Sequence, residues 1–518
     1  MNLSHILRQA ADRWPSRIAL VDLDAPGGRL QFTYAELADR VDRSAGGLRA
    51  LGLRRGDRVA MLLHNSWEYV EAFFAIAAAG CVAVPLNTRL LPKEHAHMVS
   101  DSGARLLIGH GSLLAGREAL AALPELGTVM ARPLADTPSS WRPFESIAAA
   151  QAMVPAAASS SDLASILYTS GTTGLPKGVM LPHQAWTAVS DYVRRYLRYG
   201  DDEVTIHTAA LTHGSGFLLL PTMAMGGKTL LCSKFDPAHT LELFEKELVT
   251  GGFFVPSMIQ MLLDSLGDTE VRAPALRNLY YAGSPIDPGT LHNALERFGP
   301  VLVQSFAQAE IPMFLTVLDH AEHARIAAGE APHLIRSAGR PVHGSEVKIV
   351  DDDDRELAAD AIGEVVARGP HAMKGYWNRP DATAETLRGG WVHTGDMGRF
   401  DEAGYLYIVD RKKDMIISGG SNVYAREVEE ALLSMQDIRD AAVIGLPHPK
   451  WGEMVTAVLV SRTGAPVDDA TMELHCRSTL ADYRRPKRFI WVDALPRNPY
   501  GKVLKRDLRD RFAGSGGG

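Results

Sequence analysis

The sequence predicts an α/β protein with a large multi-layer amino-terminal domain of sheets and helices and a small α+β carboxy-terminal domain. Two observations carry this expectation. Short β-rich apolar runs alternate with helical patterns along most of the chain, which implies sheet and helix layers with ligands held at loops beyond strand ends. Near Gly398 the texture changes: Phe400–Val409 reads as a hairpin, followed by the charged junction Asp410-Arg-Lys-Lys-Asp414. The expected division is 1–412, 413–513 and a flexible Gly/Ser tail at 514–518.

The elements follow from periodicity. The opening MNLSHILRQAADRW sets Leu3, Ile6, Leu7 and Ala10 on one helical face, the pattern of an amphipathic helix and not of a signal peptide. A strand is expected at Arg58–Leu63 and a helix at 67–79. The longest apolar run, Ala72 to Leu86, contains Gly80 and Pro85 and falls short of the ~20 residues of a membrane span. It reads as a buried helix followed by a strand, without stable membrane insertion. Further strands are expected at Val204–His207, Lys228–Cys232 and Gly252–Pro256, with helices at 238–249 and 257–266. Past the junction come a helix at 425–434 and strands at 441–446 and 455–461. No internal repeat interrupts this series.

Composition narrows the function classes. With a formal charge of −7 and no long Lys/Arg run, the chain is not expected to bind nucleic acid. Cys81, Cys232 and Cys476 are too far apart for metal-site or disulfide spacing, which points to a reducing, cytoplasmic setting. A monomer or homodimer is expected.

The stretch Tyr168-Thr-Ser-Gly-Thr-Thr-Gly-Leu-Pro-Lys-Gly178 concentrates hydroxyls, glycines and one lysine after an apolar run. Glycines let backbone N–H groups approach an anion, hydroxyls add donors and the lysine adds charge. The Walker spacing fails, because Pro176 precedes Lys177 and Gly178 follows it. A solvated turn between two strands is the plain alternative. The stretch resembles the signature loop of the adenylate-forming superfamily, which includes acyl-CoA synthetases, amino-acid-activating domains and beetle luciferases. The resemblance extends over nearly the whole chain. It implies that Thr169, Ser170, Gly171, Thr172, Thr173, Gly174 and Lys177 embrace the β- and γ-phosphates of ATP.

Other segments fall in the family's order. Gly283, Ser284 and Pro285 resemble the loop beside adenine. In Gln304-Ser305-Phe306-Ala307-Gln308-Ala309-Glu310 the family usually has Tyr-Gly-x-Thr-Glu over the last five positions. Phe306 keeps a ring that can stack on adenine, and Glu310 keeps a carboxylate for Mg²⁺. Ala309 lacks a hydroxyl that would touch the α-phosphate, and Ala307 adds a methyl where glycine leaves room. His213 resembles the residue bordering the substrate carboxylate, although a lone histidine beside Phe217 and Leu218 is often a core residue. Asp396 resembles the ribose-binding acid, with Arg411 contacting the nucleotide. Lys413 falls on the family hinge, which implies that the small carboxy-terminal domain is mobile; Gly419 and Gly420 fall where the pantetheine arm passes, and Lys502 on the catalytic lysine. Arg484, Arg485 and Lys487 form a weaker cluster suited to phosphates of coenzyme A.

The resemblance implies an ATP-, Mg²⁺- and coenzyme A-dependent acid–thiol ligase that forms acyl-AMP, releases pyrophosphate and acylates coenzyme A. A stand-alone enzyme loading a carrier-protein thiol is the alternative, and a nucleotide-binding protein without catalysis a further one. Amino-acid activation is disfavoured, since His207–Phe217 holds no acid for an α-amino group. The expected acyl-pocket walls, His213, Phe217, Leu218, Ala307, Met313 and Phe314, are largely apolar and offer no obvious cation for a second carboxylate. They suit a fatty, alicyclic or aromatic monocarboxylate.

Overall fold

The computed structural model describes residues 2–134, 138–169, 176–497 and 503–513. Ser170, Gly171, Thr172, Thr173, Gly174, Lys502 and the tail lie outside the described residues. Two compact units form. The first comprises the chain up to Val347 together with Ala367–Val392, and the second comprises Lys348–Val366 and the chain from His393 onward.

The first unit holds two sheets. In the nine-stranded sheet, Val204–His207, Gly251–Phe254, Asn278–Tyr281 and Leu302–Gln308 are parallel neighbours. Residues of these strands are buried on both faces, as expected of parallel strands covered by helices. The seven-stranded sheet is parallel through Arg58–Leu62, Val82–Pro85 and Leu106–His110 and ends in the antiparallel pair Leu163–Thr169 and Lys177–Pro182.

Local chemistry sets the helix starts. Helix Tyr34–Ala50 begins at a capping box made by Thr33 and Glu36, and helix His320–Ala327 at one made by Asp319 and Glu322. Proline occupies the first turn of Pro237–Lys246, Pro256–Leu266 and Pro288–Phe298, where its missing N–H costs nothing. The amphipathic helix Ser4–Arg13 buries Ile6, Leu7 and Ala10 as its periodicity requires. The apolar run from Ala72 forms the end of the buried helix Trp67–Ala78 and then strand Val82–Pro85. No helix among the described residues is long and apolar enough to cross a membrane.

In the second unit, strands Ile438–His448 and Gly452–Ser461 pair antiparallel along nearly their whole length. Helices Ala425–Leu433 and Asp469–Thr479 contribute Val428, Leu432, Met472 and Cys476 to the core beside them.

Candidate active site

Four loop segments leave the carboxyl ends of adjacent parallel strands, the usual ligand position in an α/β sheet. One, after Val204–His207, carries His213. Another, after Gly251–Phe254, begins at Val255. The third, after Asn278–Tyr281, is the exposed Gly283-Ser284-Pro285. The last is the end of strand Leu302–Gln308, where Ala309 and Glu310 form a two-residue hairpin turn closed by the pairing of Gln308 with Ile311.

Phe306 and Ala307 are half-buried and rest on a small cluster of Ile311, Leu315, Ala367 and Val392. Neighbouring positions differ. Ser305 is buried, and its hydroxyl donates to the carbonyl of Met313 at 2.5 Å and lies 2.7 Å from the Tyr280 hydroxyl, so it is spent inside the core. The Oε1 of Gln304 is buried without a hydrogen-bond partner among the described residues.

Of the signature stretch, the described ends are the strand residues Tyr168, Thr169, Lys177 and Gly178. Thr169 ends one strand, Lys177 begins the next, and the two are paired across the ladder. Gly178 is required by close packing: a Cβ there would come within 2.6 Å of Ile166 Cγ2 and 3.1 Å of the Tyr168 ring. That closeness admits residues 374–377 as an added edge, with Trp377 N–H donating to the Gly178 carbonyl at 2.7 Å and Met180 N–H to the Gly375 carbonyl at 3.0 Å. From this edge Tyr376 reaches both charged candidates. Its hydroxyl donates to Glu310 Oε1 at 2.6 Å, and the Lys177 ammonium sits 4.4 Å from its ring centroid.

Mg²⁺ keeps several waters and is held by one or two carboxylates with substrate phosphates, not by a dedicated cage. The described residues contain no cluster of three or more potential metal ligands. A half-buried carboxylate on a hairpin tip, Glu310, fits that lighter requirement, with Lys177 as neighbouring cation.

The acyl-side candidates separate by burial. Phe217 stacks on Trp186 with centroids 4.1 Å apart, and Phe314 stacks on Tyr280 and Tyr196. Leu218 and Phe314 are each 0% exposed, so neither lines an open pocket in this structure. Met313 is 8% exposed and adopts a left-handed φ of 70°, with its carbonyl held by Ser305. Small, partly exposed residues, Ala209, Val255, Ala282 and Ala309, pack against the same core. His213 Nδ1 lies 2.8 Å from the Thr212 hydroxyl. Desolvation, reinforced by the positive field of Arg89, lowers its pKa to about 4. The imidazole is therefore neutral at pH 7. Arg89 is exposed and was not singled out by sequence reading, because nothing in its local pattern marks it as a neighbour of His213.

In the second unit Asp396 and Arg411 face each other in the ladder between Trp391–Phe400 and Leu406–Arg411. Arg411 Nε lies 2.5 Å from Asp396 Oδ1, and the Asp396 side chain is 4% exposed. Gly419 and Gly420 form the two-residue turn between Ile416–Ser418 and Ser421–Val423, with φ of 59° and 80°. Lys413 is exposed in the turn Lys412–Asp414. Its neighbours are anchored: Lys412 Nζ is 2.9 Å from Asp352 and 3.2 Å from Glu364, and Asp414 is 3.2 Å from Arg509.

Residues 7–377 match the family model described as AMP-binding enzyme, and residues 427–502 match the model of the AMP-binding enzyme C-terminal domain. The chain belongs to this family. It is the adenylate-forming superfamily expected from the signature stretch, whose acyl-CoA ligases use ATP, Mg²⁺ and coenzyme A. A feruloyl-CoA synthase of an Amycolatopsis species is 38% identical over 518 residues, covering 97% of this chain and 99% of that one. The long-chain-fatty-acid–CoA ligase FadD13 of Mycobacterium tuberculosis is 36% identical over 532 residues, covering 99% of each. The solved amide bond synthetase McbA of Marinactinospora thermotolerans superposes with a TM-score of 0.87 at 31% identity, covering 98% of this chain and 99% of its own.

Proposed function

We propose that the chain joins a hydrophobic monocarboxylic acid to coenzyme A in two half-reactions. In the first, a carboxylate oxygen of the acid attacks the α-phosphorus of ATP, the bond to the β-phosphate oxygen breaks, and acyl-AMP and pyrophosphate form. In the second, the thiol sulfur attacks the acyl carbonyl, AMP leaves, and the thiol proton is lost to solvent. The observation that carries this reading is that a lysine and a carboxylate, Lys177 and Glu310, are held beside each other by one tyrosine.

Lys177 and the signature residues Thr169 to Gly174 hold the pyrophosphate portion. Glu310 would hold Mg²⁺, which when bound would offset charge on the phosphate oxygens. Phe306 and Gly283–Pro285 receive adenine, and Asp396 with Arg411 receives the ribose. Lys502 supplies positive charge at the α-phosphate as negative charge builds there. His213, neutral at pH 7 in the unliganded site, borders the acyl carboxylate.

Lys413 is the pivot that exchanges Lys502 for the thiol channel at Gly419 and Gly420. In support, Lys413 is exposed in the short turn Lys412–Asp414, beside Lys412 and Asp414, whose side chains pair with Asp352, Glu364 and Arg509. The gap between the two matched family models also contains this residue. The small apolar residues at the strand ends, and the absence of an acid from His207–Phe217, support a fatty, alicyclic or aromatic acid.

Lys502→Ala tests the assignment. Acyl-AMP formation should fall by at least a thousandfold, while thiolysis of supplied acyl-AMP by coenzyme A stays within a few-fold of wild type. An equal loss in both half-reactions would contradict the two-state account.

A further inference from the structure

We propose that Tyr376 is a positioning residue, a spacer that keeps Lys177 and Glu310 from neutralising each other. The proposal rests on the reading of those two groups as the phosphate and Mg²⁺ ligands. Opposite charges at neighbouring strand and turn ends attract, and a direct ion pair would spend both on each other. The structure shows a different arrangement. The Glu310 carboxylate takes the Tyr376 hydroxyl at 2.6 Å, a charge-assisted bond, while the Lys177 ammonium takes the ring at 4.4 Å from its centroid. Each charge is oriented, and neither is cancelled. Lys177 forms no ion pair among the described residues, and Glu310 accepts no other side-chain hydrogen bond among them.

The spacer is itself fixed. Tyr376 N–H donates to Thr383 Oγ1 at 2.9 Å, and Tyr376 bridges Val179 on the Lys177 strand. Three residues earlier, Met373 N–H donates to the Glu310 carbonyl at 2.7 Å, so one segment holds both the main chain and the side chain of that turn. Gly375 allows the approach: its φ is 136°, and a Cβ there would meet Thr383 Cγ2 at 2.6 Å.

The test uses equilibrium binding without acid substrate, so that no turnover occurs. Tyr376→Phe keeps the ring and removes the donor; Tyr376→Leu removes the π face as well. By isothermal titration, Tyr376→Phe should weaken Mg·ATP about tenfold and Tyr376→Leu about a hundredfold, from loss of one charge-assisted bond and then the cation site. Binding of AMP without Mg²⁺ should stay within twofold in both, because AMP has no β- or γ-phosphate. Wild-type Mg·ATP affinity in Tyr376→Phe, or equal weakening of AMP and Mg·ATP, would overturn the spacer role. Glu310→Gln and Lys177→Met serve as parallel variants. Wild-type Mg·ATP affinity in both would overturn the underlying ligand assignment, and the spacer with it. Weakening there with none in the Tyr376 variants overturns the spacer alone.

Discussion

Asp396 offers a ribose test in which the ligand itself is altered. Its side chain is 4% exposed, and one oxygen is paired with Arg411 Nε at 2.5 Å. A carboxylate offers acceptor sites only, whereas an amide has one oxygen and brings two donors that would face the ribose hydroxyls. A hydrogen bond to a charged acceptor is worth roughly 1.5–3 kcal/mol, and loss of one such bond to the 2′-hydroxyl should weaken ATP by about 10- to 150-fold. Asp396→Asn also leaves Arg411 without its charge partner, but Arg411 is 40% exposed, and water limits that cost to about 1 kcal/mol. The assay is a cycle: KM for ATP and for 2′-deoxy-ATP, each in wild type and Asp396→Asn. If Asp396 accepts the 2′-hydroxyl, the variant's penalty should shrink at least fivefold with 2′-deoxy-ATP, since the bond is already missing. An equal penalty with both nucleotides would refute the ribose assignment and leave Asp396 as a structural partner of Arg411.

Other expectations follow from packing and protonation. His371 is fully buried against Tyr192, with ring centroids 5.1 Å apart, and desolvation lowers its pKa to about 4. As pH falls below the unfolded value of 6.5, the unfolded chain takes up this proton before the folded chain does. Its stability contribution is thus intact above pH 6.5 and drains away towards pH 4. His371→Leu should remove about 2 kcal/mol of the loss between pH 7 and pH 5, read from urea midpoints of both proteins at the two pH values. Identical pH dependence would refute the neutral buried state. Gly178→Ala places a methyl 2.6 Å from Ile166 Cγ2 and should cost about 1–3 kcal/mol of stability, with weaker Mg·ATP binding as the Tyr376 edge shifts. Wild-type urea midpoint and Mg·ATP affinity would show that the edge tolerates the methyl. Phe306→Leu should raise KM for ATP about tenfold through lost stacking, measured against an unchanged KM for the acid; an unchanged ATP KM would remove Phe306 from the adenine site.

Much of the fold is legible where a pattern repeats locally. Val204–His207 forms the expected strand, and Lys228–Leu231, Trp67–Ala78 and Ala425–Leu433 lie within one or two residues of expectation, because apolar runs and helical stripes are local signals. Strand lengths were harder: Ile438–His448 and Gly452–Ser461 extend past 441–446 and 455–461, since pairing with each other carries polar residues such as Asp440 and Glu453 into the ladder. Leu218 and Phe314 illustrate another limit. Apolar character suits a pocket wall and a core equally, and only the packing of Phe314 between aromatic rings separates them.

The candidate site divides in the same way. Motifs marked Lys177, Glu310, Asp396 and Arg411, but the setting of Glu310 in a two-residue turn depends on the pairing of Gln308 with Ile311. Tyr376 went unmarked because it meets Glu310 across 66 positions and carries no acid or base in its own motif. Arg89 escaped for a similar reason: its field on His213 spans more than a hundred residues of sequence.

The central claim is tested most directly by mass spectrometry of a single turnover, with a panel of fatty, alicyclic and aromatic acids and Mg·ATP, before and after coenzyme A is added. The account predicts acyl-AMP and pyrophosphate first, then acyl-CoA and AMP in equal amounts on addition of the thiol. Formation of ADP and phosphate, or acyl-AMP that persists with coenzyme A but is consumed by a carrier-protein thiol or an amine, would contradict it.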